Sequence, residues 1–303
     1  MYKADENEKL NVAILGSGNI GMNLLYKIMR SKWLNCLCIS GRNKNSINLK
    51  KAQLLGIRTS SRSIESILEM KDQIQIVFDA TNAEAHRKHS EILKKENIYV
   101  IDLTPSKIGK ICLPCLNAYD CLRVKEVNMV TCGGQSMVPV ANAISSIGKK
   151  IKYMEVISTI PSISAGKGTR ENIDDYIYTT QEALREFTDC SKTKAMLVLN
   201  PAEPAINMHN TLYIVFDEKI ELYDITEAVK FIERKMKKYV PGFCIISLPE
   251  FIADKTIVVS VEVKGTGDFL PEYAGNLDII TCAGIEMAEQ YAINIQRGMK
   301  EYA

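Results

Sequence analysis

One cysteine of this sequence lies where a nucleophile would be expected. Cys132 occurs in the stretch MVTCGGQSMVPV, between a hydrophobic run and two adjacent glycines, Gly133 and Gly134. A cysteine that only packs in a core does not need flexible neighbours, whereas a reacting sulfur needs backbone close to its target. A thiolate can attack an aldehyde to give a thiohemiacetal, which loses a hydride and becomes a thioester. The glycines would let backbone amides stabilise the developing oxyanion.

A hydride acceptor is suggested by the first glycine-rich loop of the chain. The stretch GSGNIG is a complete G-x-G-x-x-G that follows a predicted strand and opens a predicted helix. In such loops the first glycine allows the tight turn, the second admits a pyrophosphate, and the third permits close helix–strand packing. Amides at the start of the helix then bind the phosphates. The predicted dinucleotide-binding residues are Gly16, Ser17, Gly18, Asn19, Ile20 and Gly21.

The end of the second predicted strand bears on which dinucleotide is used. An NAD site usually carries an Asp or Glu about 20 residues after the glycines. Here the segment reads CISGRNKNS, Cys38–Ser46, and contains no acid. Arg42 is a permanently charged donor fork suited to a phosphate, although a solvated basic turn is an equally good interpretation. We predict that NADP is used at least as well as NAD.

Composition argues against several other classes of function. A net charge of +2 over 303 residues gives no electrostatic case for nucleic acid or an anionic membrane. No apolar run approaches the ~20 residues that span a bilayer, and the polar start MYKADENEKL is unlike a signal peptide. A cytoplasmic protein is therefore expected. The nine cysteines indicate reduced thiols. Cys112 and Cys115 form a CLPC that could suggest a metal or redox pair, but no second CxxC follows and the three histidines lie at no zinc-ligand spacing from it, so no metal site is predicted.

Two patterns along the chain predict two domains of different class. Residues 1–130 alternate short apolar strands with helices, which indicates an α/β, Rossmann-type parallel sheet. Residues 131–282 carry successive strands, which indicates an α+β domain with a largely antiparallel sheet. Strands are predicted at Asn11–Gly16, Leu34–Ser40, Ile74–Ala80, Asn97–Thr104, Tyr153–Ile160, Lys194–Leu199, Thr211–Phe216, Phe243–Leu248 and Thr256–Val263. Helices are predicted at Asn19–Ser31, Ser46–Leu55, Ser63–Met70, Ala83–Lys95, Ile225–Tyr239 and Ala283–Met299.

Several blocks together resemble the acylating acetaldehyde dehydrogenases, bacterial enzymes that oxidise short aldehydes to acyl-CoA. The blocks run nearly from end to end: VAILGSGNIG, IVFDATNAEAH, IDLTP, NMVTCGGQ, SAGKGTRENID, LNPAEP and LPEYAGNLDI. The resemblance implies that Cys132 carries an acyl thioester. It also implies that residues 131–282 form a substrate and dimerisation domain, and that the helix of residues 283–303 returns to the first domain.

The resemblance implies further cofactor contacts. Asn276 would hydrogen-bond the nicotinamide carboxamide, although it is also typical of a turn residue that caps AGN. Lys167 and Arg170 would meet phosphates of the cofactor or of CoA, or be plain surface charges. The loop residues implied to hold the cofactor are Ser164, Ala165, Gly166, Lys167, Gly168, Thr169, Arg170 and Asn172.

One departure from the family concerns its usual acid after the NPAEP motif. The family has an Asp there, placed to assist the thiol or the attacking CoA, whereas this chain reads INMHNTLYIV and has Asn210. An amide accepts no proton at neutral pH, so general-base help would be lost. His209, immediately before Asn210, is of a residue type that often serves as a base, but neighbours on a strand point to opposite faces. The predicted catalytic residues are Cys132 and Asn210.

Three functions stay open at this point. The first is a CoA-acylating aldehyde dehydrogenase that turns a short aldehyde, CoA and NAD(P)⁺ into acyl-CoA and NAD(P)H through Cys132. The second is an NADPH-dependent reductase that converts an acyl thioester of CoA or of a carrier to the aldehyde. The third is a non-catalytic paralogue. The resemblance also implies a pyruvate-releasing aldolase as partner, and assembly as a homodimer or heterotetramer.

Overall fold

The computed structural model describes residues 9–301, apart from the side chains of residues 167 and 299–301. Most of the polar start MYKADENEKL and the last two residues of the predicted segment 283–303 lie outside this range. The chain divides into two compact units, Met1–Met129 with Thr281–Ala303, and Val130–Ile280. Among the described residues, no helix is both long and apolar enough to cross a membrane.

The first unit contains a seven-stranded sheet. Its strands are β1 (Leu10–Leu15), β2 (Leu34–Ser40), β3 (Arg58–Ser60), β4 (Ile76–Asp79), β5 (Tyr99–Asp102), β6 (Lys110–Ile111) and β7 (Glu126–Asn128). Their order is β3-β2-β1-β4-β5-β7-β6, and each pair of neighbours is parallel. Every residue of β4 and β5 is buried, as expected for a parallel sheet covered on both faces. The order reverses between β1 and β4, where dinucleotides bind in such sheets.

The described part of the first unit has five α-helices that come before β7 in the sequence. They are α1 (Asn19–Arg30), α2 (Ile47–Leu54), α3 (Ile64–Leu68), α4 (Ala83–Leu93) and α5 (Pro114–Cys121). Helix α1 buries one stripe, including Met22, Leu25 and Ile28, because these residues recur at helical spacing. Helix α4 begins after Asn82, whose side-chain oxygen accepts from the amide of Ala85 at 2.9 Å.

The second unit is built on a five-stranded sheet of the order β11-β12-β10-β8-β9. Its strands are β8 (Ile151–Pro161), β9 (Thr193–Asn200), β10 (Met208–Phe216), β11 (Phe243–Ala253) and β12 (Thr256–Val263), and its helices are α6 (Cys132–Ser145), α7 (Lys167–Glu171), α8 (Ile173–Thr188) and α9 (Leu222–Met236). A last helix, α10, spans Gly275–Glu301. Only β8 and β9 pair in parallel, so the sheet is mostly antiparallel and the predicted fold class is confirmed.

The two faces of this second sheet differ in burial. Along β10 the residues alternate strictly, so that Met208, Asn210 and Leu212 are buried while His209 and Thr211 are partly exposed. Helices α6, α8 and α9 pack against strands of the sheet. The edge strands carry exposed apolar side chains, which are Met196 and Val198 on β9 and Ile246, Leu248, Phe251 and Ile252 on β11.

The sequence patterns missed several elements. Helix α6 was not predicted, because its paired glycines and Pro139 are poor helix formers, yet nine successive residues from Gly133 to Ala141 are buried. Helices α7 and α8 were also missed, since SAGKGTRENID was interpreted as a loop and little was predicted after it. The short strands β3, β6 and β7 carry too few residues for a periodicity to be visible.

Candidate active site

Cys132 is the first residue of helix α6, and the turn before it is strained. Val130 has φ of 61°, a left-handed conformation that β-branched residues rarely adopt and that costs about 1–3 kcal/mol. Thr131 then caps the helix, because its side-chain oxygen accepts from the amide of Gly134 at 2.9 Å. This turn delivers the sulfur to a helix N-terminus, where amides and the helix dipole favour an anion.

Tyr176 of helix α8 lies against the nucleophile. Its hydroxyl oxygen accepts a hydrogen bond from the amide of Gly133 at 3.0 Å and is 3.7 Å from Sγ of Cys132. A β-carbon on Gly133 would lie 2.2 Å from this oxygen and 2.3 Å from Oγ of Ser158. The glycine is therefore needed so that Tyr176 and Ser158 can approach the helix. The amides of Gly133 and Gly134 are both hydrogen-bonded within the protein, contrary to a simple oxyanion hole made from them.

Burial dominates the acidity of the nucleophile. Cys132 keeps some exposure, but its sulfur lies among buried groups, and this burial raises the pKa of the thiol to about 11. Hydrogen bonds from Tyr176, from the Gly133 amide and from its own amide act in the opposite direction and lower that pKa. Cys132 is consequently a thiol in the free protein at neutral pH, and thiolate is a small fraction.

Asn210 lies on the strand beside Ser158. The two residues are directly opposite each other in the antiparallel pair of β8 and β10, on the buried face of the sheet. Asn210 is 0% exposed, and neither Nδ2 nor Oδ1 of its amide has a hydrogen-bond partner within the protein. Two unsatisfied polar atoms of one buried side chain are unusual and point to a ligand group that would bind them. His209 is on the opposite face, with Nε2 3.2 Å from Glu262, and is not positioned to replace the missing acid.

The glycine-rich loop joins β1 to α1 in the way the sequence predicted. Gly16 has φ of 111°, and a β-carbon there would lie 2.4 Å from the carbonyl oxygen of Ala80, which follows β4. A β-carbon on Gly21 would lie 1.9 Å from the carbonyl oxygen of Gly16, so helix and loop are in direct contact. Gly18 precedes α1 without a side-chain cap, and the first turn has no acid. The amides of that turn, including those of Asn19 and Ile20, are thus suited to phosphates.

The turn after β2 lies directly against this loop. A β-carbon on Gly41 would be 2.4 Å from Oγ of Ser17, and Asn48 donates to the carbonyl oxygen of Ser17 at 2.9 Å. Ser40 is fully buried and donates to the carbonyl oxygen of Ser63 at 2.9 Å, which commits its hydroxyl to the protein. Arg42 follows as an exposed side chain. Arg42, in the turn after β2, is therefore a better candidate for a phosphate than Ser40 at the end of the strand.

Ser164 and Asn276 come together from distant parts of the sequence. Oγ of Ser164 donates to Oδ1 of Asn276 at 2.8 Å, and both side chains are buried. Asn276 lies in the first turn of α10, so the serine fixes the orientation of its amide. This is the arrangement that recognition of a carboxamide would require.

The rest of the predicted 164–172 loop is braced by its own polar groups. Arg170 donates from Nε to the carbonyl oxygen of Ala165 at 3.0 Å and from Nη2 to that of Ser162 at 2.8 Å. Asn172 donates to the carbonyl oxygen of Gly168 at 2.6 Å. The guanidinium of Arg170 thus shapes the loop, whereas Gly166, Gly168 and Thr169 are accessible. The side chain of Lys167 lies outside the described residues.

A buried acid–histidine cluster, defined by Asp79, His86, His89, Asp102 and Glu126, lies in the first unit. Oδ2 of Asp79 is 2.9 Å from Nδ1 of His86 and 2.7 Å from Nδ1 of His89. Nε2 of His86 is 3.4 Å from Asp102 and 3.2 Å from Glu126. Burial would lower the pKa of His86, but the surrounding carboxylates raise it to about 10, so this residue is a buried cation.

The cluster braces the wall of the cofactor loop. Oδ1 of Asp79 accepts from the amide and hydroxyl of Thr81, which fixes the turn whose Ala80 carbonyl touches Gly16. In the sequence, His86 and His89 bear only on the question of a zinc site, and their role in bracing this turn was missed. Within the described residues, no group of three or more His, Cys, Asp or Glu side chains is arranged to hold a metal ion.

The chain is similar to known proteins in sequence and in fold. A family model described as prokaryotic acetaldehyde dehydrogenase, dimerisation, matches residues 132–271, and one described as semialdehyde dehydrogenase, NAD binding domain, matches residues 11–108. The acetaldehyde dehydrogenase of Pectobacterium atrosepticum is 47% identical over 285 residues, which cover 93% of this chain and 96% of that protein. That of Spirochaeta aurantia is 47% identical, with 93% and 95% covered. That of Carboxydothermus hydrogenoformans is 44% identical, with 94% of each covered.

A solved structure shares the fold. The chain is similar to aspartate semialdehyde dehydrogenase II from Vibrio cholerae, solved in complex with ASA, with a TM-score of 0.65 over 95% of this chain and 99% of that one. The sequence identity is 13%, so this likeness concerns the fold alone.

Proposed function

Because the chain belongs to the acetaldehyde dehydrogenase family, we propose that it is a CoA-acylating aldehyde dehydrogenase that works through a thioester on Cys132. Family membership confirms the resemblance read from the sequence and makes the protein an NAD(P)-dependent oxidoreductase. The observation that carries the thioester proposal is the place of Cys132, at a capped helix N-terminus with the Tyr176 hydroxyl beside its sulfur.

The proposed reaction runs in two halves. The Cys132 thiolate attacks the carbonyl carbon of a short aldehyde, the carbon–sulfur bond forms, and the carbonyl electron pair moves to oxygen. The carbonyl then re-forms as the hydride leaves the carbon, which gives the thioester; oxidised nicotinamide, when bound, is the hydride acceptor. In the second half the CoA thiolate attacks the thioester and releases Cys132 as thiolate.

Asn210 enters this scheme as a binding group and not as a base. Its amide offers one acceptor oxygen and two N–H donors, and neither polar atom has a hydrogen-bond partner inside the protein. Asn210 lies on β10, directly opposite Ser158 on β8. We infer that the amide binds the substrate near the sulfur. Without a carboxylate at position 210, thiol ionisation depends on neutral groups, which predicts a reaction that accelerates as the pH rises toward the pKa of Cys132.

The Gly16–Gly21 loop is proposed to bind the phosphates of the dinucleotide. From the family resemblance, Asn276, oriented by Ser164, is separately proposed to recognise the nicotinamide carboxamide. The orientation of the Asn276 amide by Ser164 supports this role. Use of NADP at least as well as NAD remains our proposal, supported by the exposed Arg42 in a turn that packs on Ser17.

Reduction of an acyl thioester to the aldehyde is the second candidate function. It uses the same residues in the opposite direction, and the specific observation in its favour is the absence of an acid after β2, which suits NADPH. The retained Cys132 and its surroundings argue against a non-catalytic paralogue. The acyl chain length is set by packing around the substrate and stays open.

Assembly is proposed to use the second unit. The match to a dimerisation family model supports an oligomer, and the exposed apolar side chains of β9 and β11 are the kind of surface that a partner covers. A homodimer follows most directly, whereas a heterotetramer with an aldolase stays a prediction from the family resemblance. A cytoplasmic location likewise stays a prediction.

The test is an absorbance assay at 340 nm in both directions. Short aldehydes with CoA and NAD or NADP are compared with acyl-CoA and NADH or NADPH, for wild type, Cys132→Ala and Cys244→Ala. Cys244 is also partly exposed, on β11, and serves as the matched thiol. Turnover lost only in Cys132→Ala, with the acyl group found on Cys132 by mass spectrometry, supports the proposal. Cofactor binding without turnover or acylation would contradict it and favour the paralogue.

A further inference from the structure

The groups around the sulfur of Cys132 leave an open question about its activation. Burial disfavours the thiolate, Asn210 cannot take its proton, and His209 lies on the far face of the sheet. The groups that the structure brings to the sulfur are neutral donors: the Gly133 amide, the amide of Cys132 itself and the Tyr176 hydroxyl. Of these three donors, Tyr176 is the one that acts through its side chain. The sequence patterns did not indicate a role for it.

We propose that Tyr176 is a catalytic residue whose hydroxyl donates a hydrogen bond to the Cys132 thiolate and so sets how much nucleophile is available at neutral pH. In the resting thiol the S–H group points to the tyrosine oxygen at 3.7 Å. When the proton leaves for solvent, the hydroxyl hydrogen turns toward the sulfur. The Gly133 amide keeps donating to the same oxygen, which polarises the O–H bond and strengthens its donation.

Two further observations support Tyr176 as a hydrogen-bond donor to the sulfur and argue against Tyr176 as a general base. Burial and the nearby Cys132 raise the pKa of Tyr176 well above its ordinary value, so the hydroxyl keeps its proton through the neutral range. A β-carbon on residue 133 would collide with this hydroxyl, and the residue at that position is a glycine. The close approach of Tyr176 is thus built into the helix that carries the nucleophile.

The experiment measures alkylation of Cys132 by iodoacetamide between pH 7 and 10, without substrate or cofactor, followed by mass spectrometry of the Cys132 peptide. Tyr176→Phe removes one oxygen atom, and we expect the pKa of Cys132 to rise by about one unit, which lowers the alkylation rate about tenfold at each pH. Tyr178→Phe is the matched control, because Tyr178 lies two residues further along α8 and is about half exposed. In Tyr178→Phe, Cys132 should be alkylated at the wild-type rate.

The sign of the effect separates this role from packing. A tyrosine that only fills space would, when truncated, loosen the site and speed alkylation, so a wild-type or faster rate in Tyr176→Phe overturns the proposal. Gly133→Ala, which displaces the hydroxyl without removing it, should also slow alkylation, and a faster rate there would contradict it as well.

A kinetic arm rests on the proposed function. If wild type turns over, the kcat/KM of Tyr176→Phe for aldehyde should fall by the same factor of about ten as its alkylation rate, since both depend on the thiolate fraction. An unchanged kcat/KM would overturn the proposal for Tyr176. A wild type without turnover would refute the proposed function, while the alkylation result would still decide the role of Tyr176.

Discussion

Replacing Asn210 by leucine should stabilise the free protein and impair its reaction. The amide is fully buried, and both of its polar atoms lack a partner inside the protein. Leucine has a similar size and shape but no polar atom to leave unsatisfied. Since an unsatisfied buried polar group costs about 1–3 kcal/mol, removal of this amide should raise the free energy of unfolding by about 2 kcal/mol. For a protein of this size that corresponds to a rise in Tm of roughly 4 °C.

The matched control is Asn128, which is equally buried but fully engaged. Its Nδ2 donates to Oδ2 of Asp102 at 2.7 Å and to the carbonyl oxygen of Thr104 at 2.9 Å. Asn128→Leu removes one of the donors to the buried Asp102 carboxylate and the Asn128 donor to the carbonyl of Thr104, so it should lower the free energy of unfolding by about 2 kcal/mol. The same chemical change is thus expected to have opposite signs at the two positions.

Both variants are to be followed by calorimetry and urea unfolding without ligand, together with kcat/KM for aldehyde. The expected outcome for Asn210→Leu is higher stability with a kcat/KM at least tenfold lower, the pattern of a residue kept for function at a cost in stability. Destabilisation by Asn210→Leu would mean that the amide is already satisfied, for instance by bound water, and would refute the argument that it waits for substrate.

Three further perturbations test other parts of the molecule. Arg42→Ala should raise the KM for NADP about tenfold with little effect on the KM for NAD; equal effects would assign Arg42 to a general role. Ser164→Ala removes the hydrogen bond that orients Asn276. Because such a bond contributes about 1 kcal/mol, kcat/KM for the cofactor should fall about fivefold, while the rate of Cys132 alkylation should not change. The raised pKa of His86 predicts stabilisation that is complete below about pH 6.5 and lost as pH rises through about 10, so urea unfolding at pH 6, 8 and 10 should show a decline. His86→Asn should remove that decline and cost about 3–5 kcal/mol at pH 6, and a decline of unchanged size would contradict this assignment.

The buried acid–histidine cluster suggests why the first unit tolerates carboxylates in its core. The positive charge of His86 lies close to the carboxyl groups of Asp79, Asp102 and Glu126, and burial raises the pKa of Asp102 to about 6. The charges are thus compensated in place, and Asp79 is free to use its second oxygen on Thr81. We expect this arrangement to hold the cofactor loop wall in one geometry between about pH 6 and pH 9.

Fold prediction succeeded where a local pattern was long enough to read. The strands β1, β2, β8 and β12 have apolar runs or alternation of seven or so residues, and the glycine spacing of Gly16–Gly21 identifies a dinucleotide loop from six consecutive positions. Helix α6 failed the same test, because tertiary burial of a Gly- and Pro-containing segment overrides its weak propensity.

The sequence by itself determined the class of this protein: a Rossmann-type unit, a second unit on a mostly antiparallel sheet, a family and one outstanding cysteine, because each depends on residue types at fixed short spacings. Tertiary structure alone decided the chemistry around that cysteine. Tyr176 is 44 residues from Cys132, and Asn210 meets Ser158 only through strand pairing. A hydrogen bond or an orphaned amide is a property of atoms brought together across the fold, and no spacing along the chain encodes it.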